Sequence, residues 1–130
     1  MPIQNIFGSW GIPVQAQTGS TLTLTALDGG KIFTNRGAGA GVTFTLPVTS
    51  SVLKGWTVDF FTVAAQAITV ASSPTDTLIV HADATADTIV TAATIGQHIK
   101  VICDGTGWLV ISDPSAATTA TAVTAVTLTT

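Results

Sequence analysis

Nowhere in this chain do apolar residues recur at helical spacing; short runs of Val, Ile, Thr, Phe and Leu are instead cut at close intervals by Gly, Pro, Asn, Asp and Ser. Such runs suit pleated strands bounded by turns, and their close succession is the pattern of a sandwich or small barrel. The expected fold is all-β: an antiparallel, jelly-roll-like sandwich forming a single domain, with an extended N-terminal arm and a C-terminal tail.

Individual strands follow from alternation. In STLTLTAL, Leu22, Leu24 and Ala26 alternate with threonines, so one face enters a core while the other offers hydroxyls. After the turn signal Asp28-Gly29-Gly30, residues 32–34 read as the next strand, and residues 42–46 as another that stops at Pro47, which cannot donate to a ladder. WTVDFFTV at 56–63 sets Val58 and Phe60 on one face against Asp59 and Phe61 on the other, which predicts that both faces are covered. Weaker strands are expected at 67–71, 77–81 and 88–91. The clearest hairpin runs from 98–103 through Asp104-Gly105-Thr106-Gly107 into 108–112.

Outside this body, taken as residues 19–113, lie an arm (1–18) and a tail (114–130). The arm carries Ile3, Ile6, Phe7, Trp10, Ile12 and Val14 at irregular spacing, so it is expected to lie along its own body or a neighbouring subunit. Ile6, Phe7, Trp10 and Ile12 are therefore interface candidates, with Trp10 the expected anchor in a neighbour's pocket. The tail is almost wholly Ala, Thr and Val, a composition open to disorder or to strand pairing with another subunit.

Only 8% of residues are charged, against roughly 25% in an ordinary soluble domain. A surface this poor in charge favours burial against other copies. The formal charge of −3 argues against direct nucleic-acid binding, which rests on clustered Lys and Arg. Cys103 is the only cysteine and sits in an apolar run, so a buried thiol is expected and no internal disulfide can form. No leader-like segment opens the sequence, and no apolar window approaches the ~18 residues of a membrane span, so neither export signal nor membrane anchor is expected.

The chemistry-bearing residues are sparse. His81 and His98 fall in apparent strands, where a structural role is the favoured reading over a base or a metal ligand. Asp28 and Asp104 precede glycines as turn-forming carboxylates do. HADATAD lacks the dense acids and central glycine of a calcium loop, and GGKIFTNRGAGAG lacks the order of a phosphate-binding loop. The latter reads as an inter-strand turn whose Arg36 is a further interface candidate. Trp56 and Trp108 suit core packing better than a sugar platform. No catalytic, cofactor-binding or metal-binding residue is assigned, and the chain is expected not to be an enzyme.

GGKIFTNRGAGAGVTFTLPVTSSVLKGWTVDFF, followed later by GQHIKVICDGTGWLVIS, resembles a recurring module of bacteriophage virion proteins. Its elements stand at residues 42–47, at 55–60, and at Asp104, Gly105, Trp108 and Ser112. The resemblance implies a β domain of the kind found in tail fibres, head fibres and small capsid-decorating proteins, commonly trimeric. For a short chain it implies a decoration or cement protein, made in the host cytoplasm, that sits on the outer surface of the virion and bridges major capsid proteins. The alternative is a tail-fibre or receptor-binding tip that recognises a host-surface glycan.

Overall fold

The computed structural model describes residues 11–112 and the strand at 126–129. Its regular elements are strands and two short 3₁₀ turns, at Ala26–Asp28 and Thr49–Ser51. Among the described residues no helix is long and apolar enough to cross a membrane.

Strands β1 (Val14–Ala16), β3 (Ile32–Thr34) and β5 (Thr57–Phe61) lie side by side and parallel in one sheet. Strands β2 (Thr21–Thr23), β4 (Val42–Thr45) and β6 (Ile68–Ala71) do the same in a second. The chain thus changes sheet at every step, and each pair of strands completes one circuit of a β-solenoid-like coil. Beyond β6 the winding gives way to β7 (Leu78–Val80), β8 (Asp83–Ala86), β9 (Thr88–Thr91), β10 (His98–Cys103), β11 (Trp108–Ser112) and β12 (Val126–Thr129), which pair mostly antiparallel. The larger sheet has seven strands in the order β1-β3-β5-β10-β11-β7-β8, and the smaller has five in the order β12-β9-β6-β4-β2.

The protein is all-β, as its sequence predicts, but its sheets are mixed where an antiparallel jelly roll is expected. The physical reason is that in-out alternation has the same period in parallel and antiparallel strands, so the pattern names strands without their direction. Only a tight turn fixes direction. Asp104 to Gly107 does so by joining β10 to β11, whereas Asp28-Gly29-Gly30 carries the chain from one sheet to the other. Both ends of the described chain also join the sheets: β1 pairs with β3, and β12 pairs with β9 of the same chain.

The inward residues of the two sheets form one core. Phe44 of the smaller sheet packs against Phe33 and Phe60 of the larger, with ring centroids 5.3 and 4.9 Å away, and those two rings lie 6.0 Å from each other. Val42, Ile68, Val70 and Ile89 continue the smaller sheet's contribution, and Val58, Ile99, Val101 and Trp108 that of the larger. Cys103 is a buried free thiol, in line with its apolar run.

Several polar groups at the corners of the coil are closed internally. Asn35 is wholly buried in the turn after β3. Its amide donates to Ala64 O and Gln66 O, and its carbonyl accepts from the backbone N–H of Val63 and Ala64, at 2.7–3.2 Å. One side chain thereby fastens the corner of one circuit to the corner of the next. Asp76, also buried, accepts the Thr49 backbone N–H and hydroxyl and the Ser73 hydroxyl. At the β10–β11 hairpin, Asp104 Oδ1 accepts the N–H of Gly107 and of Thr106, both at 2.8 Å. These two bonds, with a smaller contribution from the Lys54 charge, hold its carboxyl below the ordinary value of 3.8.

Replacing Asn35 with Ala leaves Gln66 O and the N–H groups of Val63 and Ala64 without this partner at a half-buried corner, while Ala64 O keeps the Gln66 N–H, so Asn35→Ala is expected to destabilise the fold by about 1–3 kcal/mol in denaturant titration. Because the carboxyl of Asp104 ionises more readily in the folded state, its contribution is complete above its unfolded value and is lost as pH falls through the folded one. The stability gap between wild type and Asp104→Ala, measured by thermal melting, is therefore expected to be full above about pH 5 and to shrink as the medium is acidified below that.

Candidate interaction surface

Residues that alternate with the core on the larger sheet form its outer face. The register aligns Val14, Ile32, Asp59, Lys100 and Ile111 across β1, β3, β5, β10 and β11. On one side of this row stand Phe61 and His98, and on the other Thr57, Ile102, Leu109 and Ile79. Val14, Phe61, Ile79, Leu109 and Ile111 are exposed, Ile111 at 54%. Within one chain Phe61 is 40% exposed, so of the two faces of β5 expected to be covered only that of Val58 and Phe60 is buried by the chain itself.

The apolar face is interrupted by one compact charge cluster. Asp59 Oδ2 lies 2.6 Å from His98 Nε2, and its Oδ1 lies 3.9 Å from Lys100 Nζ. His98 is thus held in a hydrogen bond with the Asp59 carboxylate. His81 lies exposed, just past the end of β7. Among the described residues no three His, Cys, Asp or Glu side chains gather as a metal site would require. Asp83 Oδ1 accepts the N–H and hydroxyl of Thr85, closing a local turn.

At one end of the sandwich an open hollow of about 550 Å³ is lined in part by Ser50, Ser51, Leu53, Lys54 and Trp56. Trp56 is half-buried there, and its indole N–H donates to Ala26 O at 2.9 Å while its ring meets that of Trp108 edge-on at 5.5 Å. Trp108 is completely buried, so the two tryptophans form a core contact and not a paired platform.

The interface candidates are dispersed. Ile12 is 63% exposed beside the start of β1, and Arg36 is exposed beyond the end of β3, so the two flank opposite ends of the β1–β3 pair. Ile6, Phe7 and Trp10 lie outside the described residues. In the glycine-rich segment, Gly30 and Gly37 take positive φ and turn the chain, and Lys31 binds Asp28 at 2.8 Å. Sequence reasoning missed the outer face itself. Its signal was present in the unbroken apolar run Leu109-Val110-Ile111, which leaves no polar face to turn to water.

A scan against protein-family models and a search of curated proteins found no match to the chain.

The packing around Trp56 has a testable consequence. A Cβ on Gly29 would stand 2.6 Å from the indole Nε1, although the backbone φ of −58° at Gly29 suits any residue. Gly29→Ala is therefore expected to cost about 1–3 kcal/mol through overpacking, read as a lowered melting temperature with a change in tryptophan emission.

Proposed function

We propose that this chain is a non-catalytic structural protein that works by packing against copies of itself and a larger scaffold. The carrying observation is the outer face of the larger sheet, where Val14, Phe61, Ile79, Leu109 and Ile111 stand exposed around a single charge cluster. An antiparallel or mixed sheet that leaves one face to water ordinarily alternates polar residues onto that face. Here the second face is bare among the described residues, and with 8% charged residues the chain has little charge to spend elsewhere on its surface.

The setting we infer is a virus particle. The likeness of residues 29–61 and 96–112 to a phage virion module supports a capsid-decorating cement protein on the outer surface of the head, trimeric and bridging major capsid proteins. The fibre-tip alternative leaned on a glycan platform of two tryptophans, and the burial of Trp108 removes one of the two.

Self-association tests this reading through the face itself. Sedimentation equilibrium of the purified 13.1 kDa chain is expected to give a mass that is a multiple of three chains. Leu109→Lys combined with Ile111→Lys is expected to abolish the threefold assembly while leaving the thermal transition intact. A strictly monomeric wild type, or a folded double variant of unchanged mass, contradicts the reading.

A further inference from the structure

Among the described residues the coil begins without a cap. Strand β1 is one edge of the larger sheet and β2 the corresponding edge of the smaller, so both sheets end together at the first circuit. Ile32 N–H donates to Pro13 O and Gln17 N–H donates to Thr34 O, both at 2.9 Å. The alternation of a parallel ladder then turns the N–H and C=O of Val14 and Ala16 away from β3, toward the open side. In the smaller sheet, Thr43 N–H donates to Ser20 O and Leu24 N–H to Thr45 O, which turns the same groups of Thr21 and Thr23 outward. Of these outward groups Thr21 O accepts the Gln17 side-chain amide at 3.3 Å. Val14, Ala16, Thr21 and Thr23 are all exposed, and Leu22 between the threonines is half-buried against the core.

Bare edges of this kind are templates for pairing, and proteins blunt them with charge, proline or bulges. Neither Val-Gln-Ala nor Thr-Leu-Thr contains any of these. The opposite end of the larger sheet is blunted: β8 pairs with a register shift, follows Ala82 at φ 61°, and carries Asp83 with Asp87 just beyond it.

We propose that the uncapped first circuit is a docking end for a second copy of this chain, joined about a two-fold axis perpendicular to the sheets. That single operation sets β1 antiparallel to its mate and β2 antiparallel to its own, extending both sheets at once. A second copy presents its two edges at the same separation by identity, and the matched edges carry no opposed charges. Centring the pairing on Gln15 and Leu22 sets Leu22 against Leu22 of the mate and each Thr21 against a Thr23, a pairing that suits strands. The contact rests on the reading of the chain as a self-associating protein, but it uses the edges and leaves the outer face free for the threefold contact.

The test combines Ala16→Pro with Thr23→Pro. Each removes an N–H that points away from its own sheet, so the protein keeps its internal ladder. In sedimentation equilibrium, wild type is expected to reach six chains at high concentration, the proline double variant three, and the lysine variant of Leu109 and Ile111 two. A folded proline variant with the mass of wild type overturns the edge contact while leaving the face contact standing; a folded Leu109→Lys/Ile111→Lys variant that still reaches six chains does the reverse. Amide exchange on wild type provides an answer that does not depend on the variant folding. Val14, Ala16, Thr21 and Thr23 are expected to exchange slowly only at concentrations where the mass doubles. Fast exchange at every concentration overturns the contact, as does concentration-independent protection that vanishes on deleting residues 1–10, which would assign the edges to that segment.

Discussion

The wedge of Phe44 between Phe33 and Phe60 is the contact on which the architecture depends. The three rings come from two successive circuits and from both sheets, and their mutual contact sets one sheet on the other. Each circuit of the coil is too short to bury its apolar side chains alone. Stacking circuits makes the inward residues of β3, β4, β5 and β6 one continuous core, which β9, β10 and β11 then extend. Burial at these positions is nearly complete, so the fold tolerates little change of volume along this line.

The second constraint is polar. A chain that changes sheet at each step must bury corners, and a buried corner carries backbone groups that need partners. Asn35 meets that need at one corner with both ends of its amide, and Asp76 does so for the 3₁₀ turn after β4. Asp28, Asp83 and Asp104 are similarly engaged in turns. With its few acids occupied this way, the chain is left with an outer sheet face whose only ionic feature is Asp59 between His98 and Lys100. Low charge and an exposed apolar face occur together in this chain, and the proposed self-association rests on that pairing.

Much of this was legible in the sequence, and the remainder was hidden for definable reasons. The strands at 32–34, 88–91, 98–103 and 108–112 coincide with those expected, because each is bounded by residues with clear turn chemistry. β8 is absent from the expected strands because Asp-Ala-Thr-Ala has no apolar alternation; it is held by pairing with β7. β1 lay inside the supposed irregular arm for a similar reason, since Val-Gln-Ala forms a strand through its ladder with β3. The parallel winding was invisible because direction is a property of connections, and the cross-sheet passages carry the same Gly and Asp punctuation as hairpins. Asn35 gave no sign of its role, since an Asn before a glycine-rich turn is ordinary while four-fold satisfaction by residues some thirty positions away is a tertiary event.

The central claim is that Phe61, Leu109 and Ile111 on the outer face of the larger sheet are covered in the working protein. Hydroxyl-radical labelling of the purified chain, read residue by residue from dilute to assembling concentration, tests it most directly. The account predicts that these three side chains lose reactivity together as the mass rises, while Leu27 and Leu53, exposed at the end of the sandwich, do not. Equal labelling of all five at every concentration would contradict it.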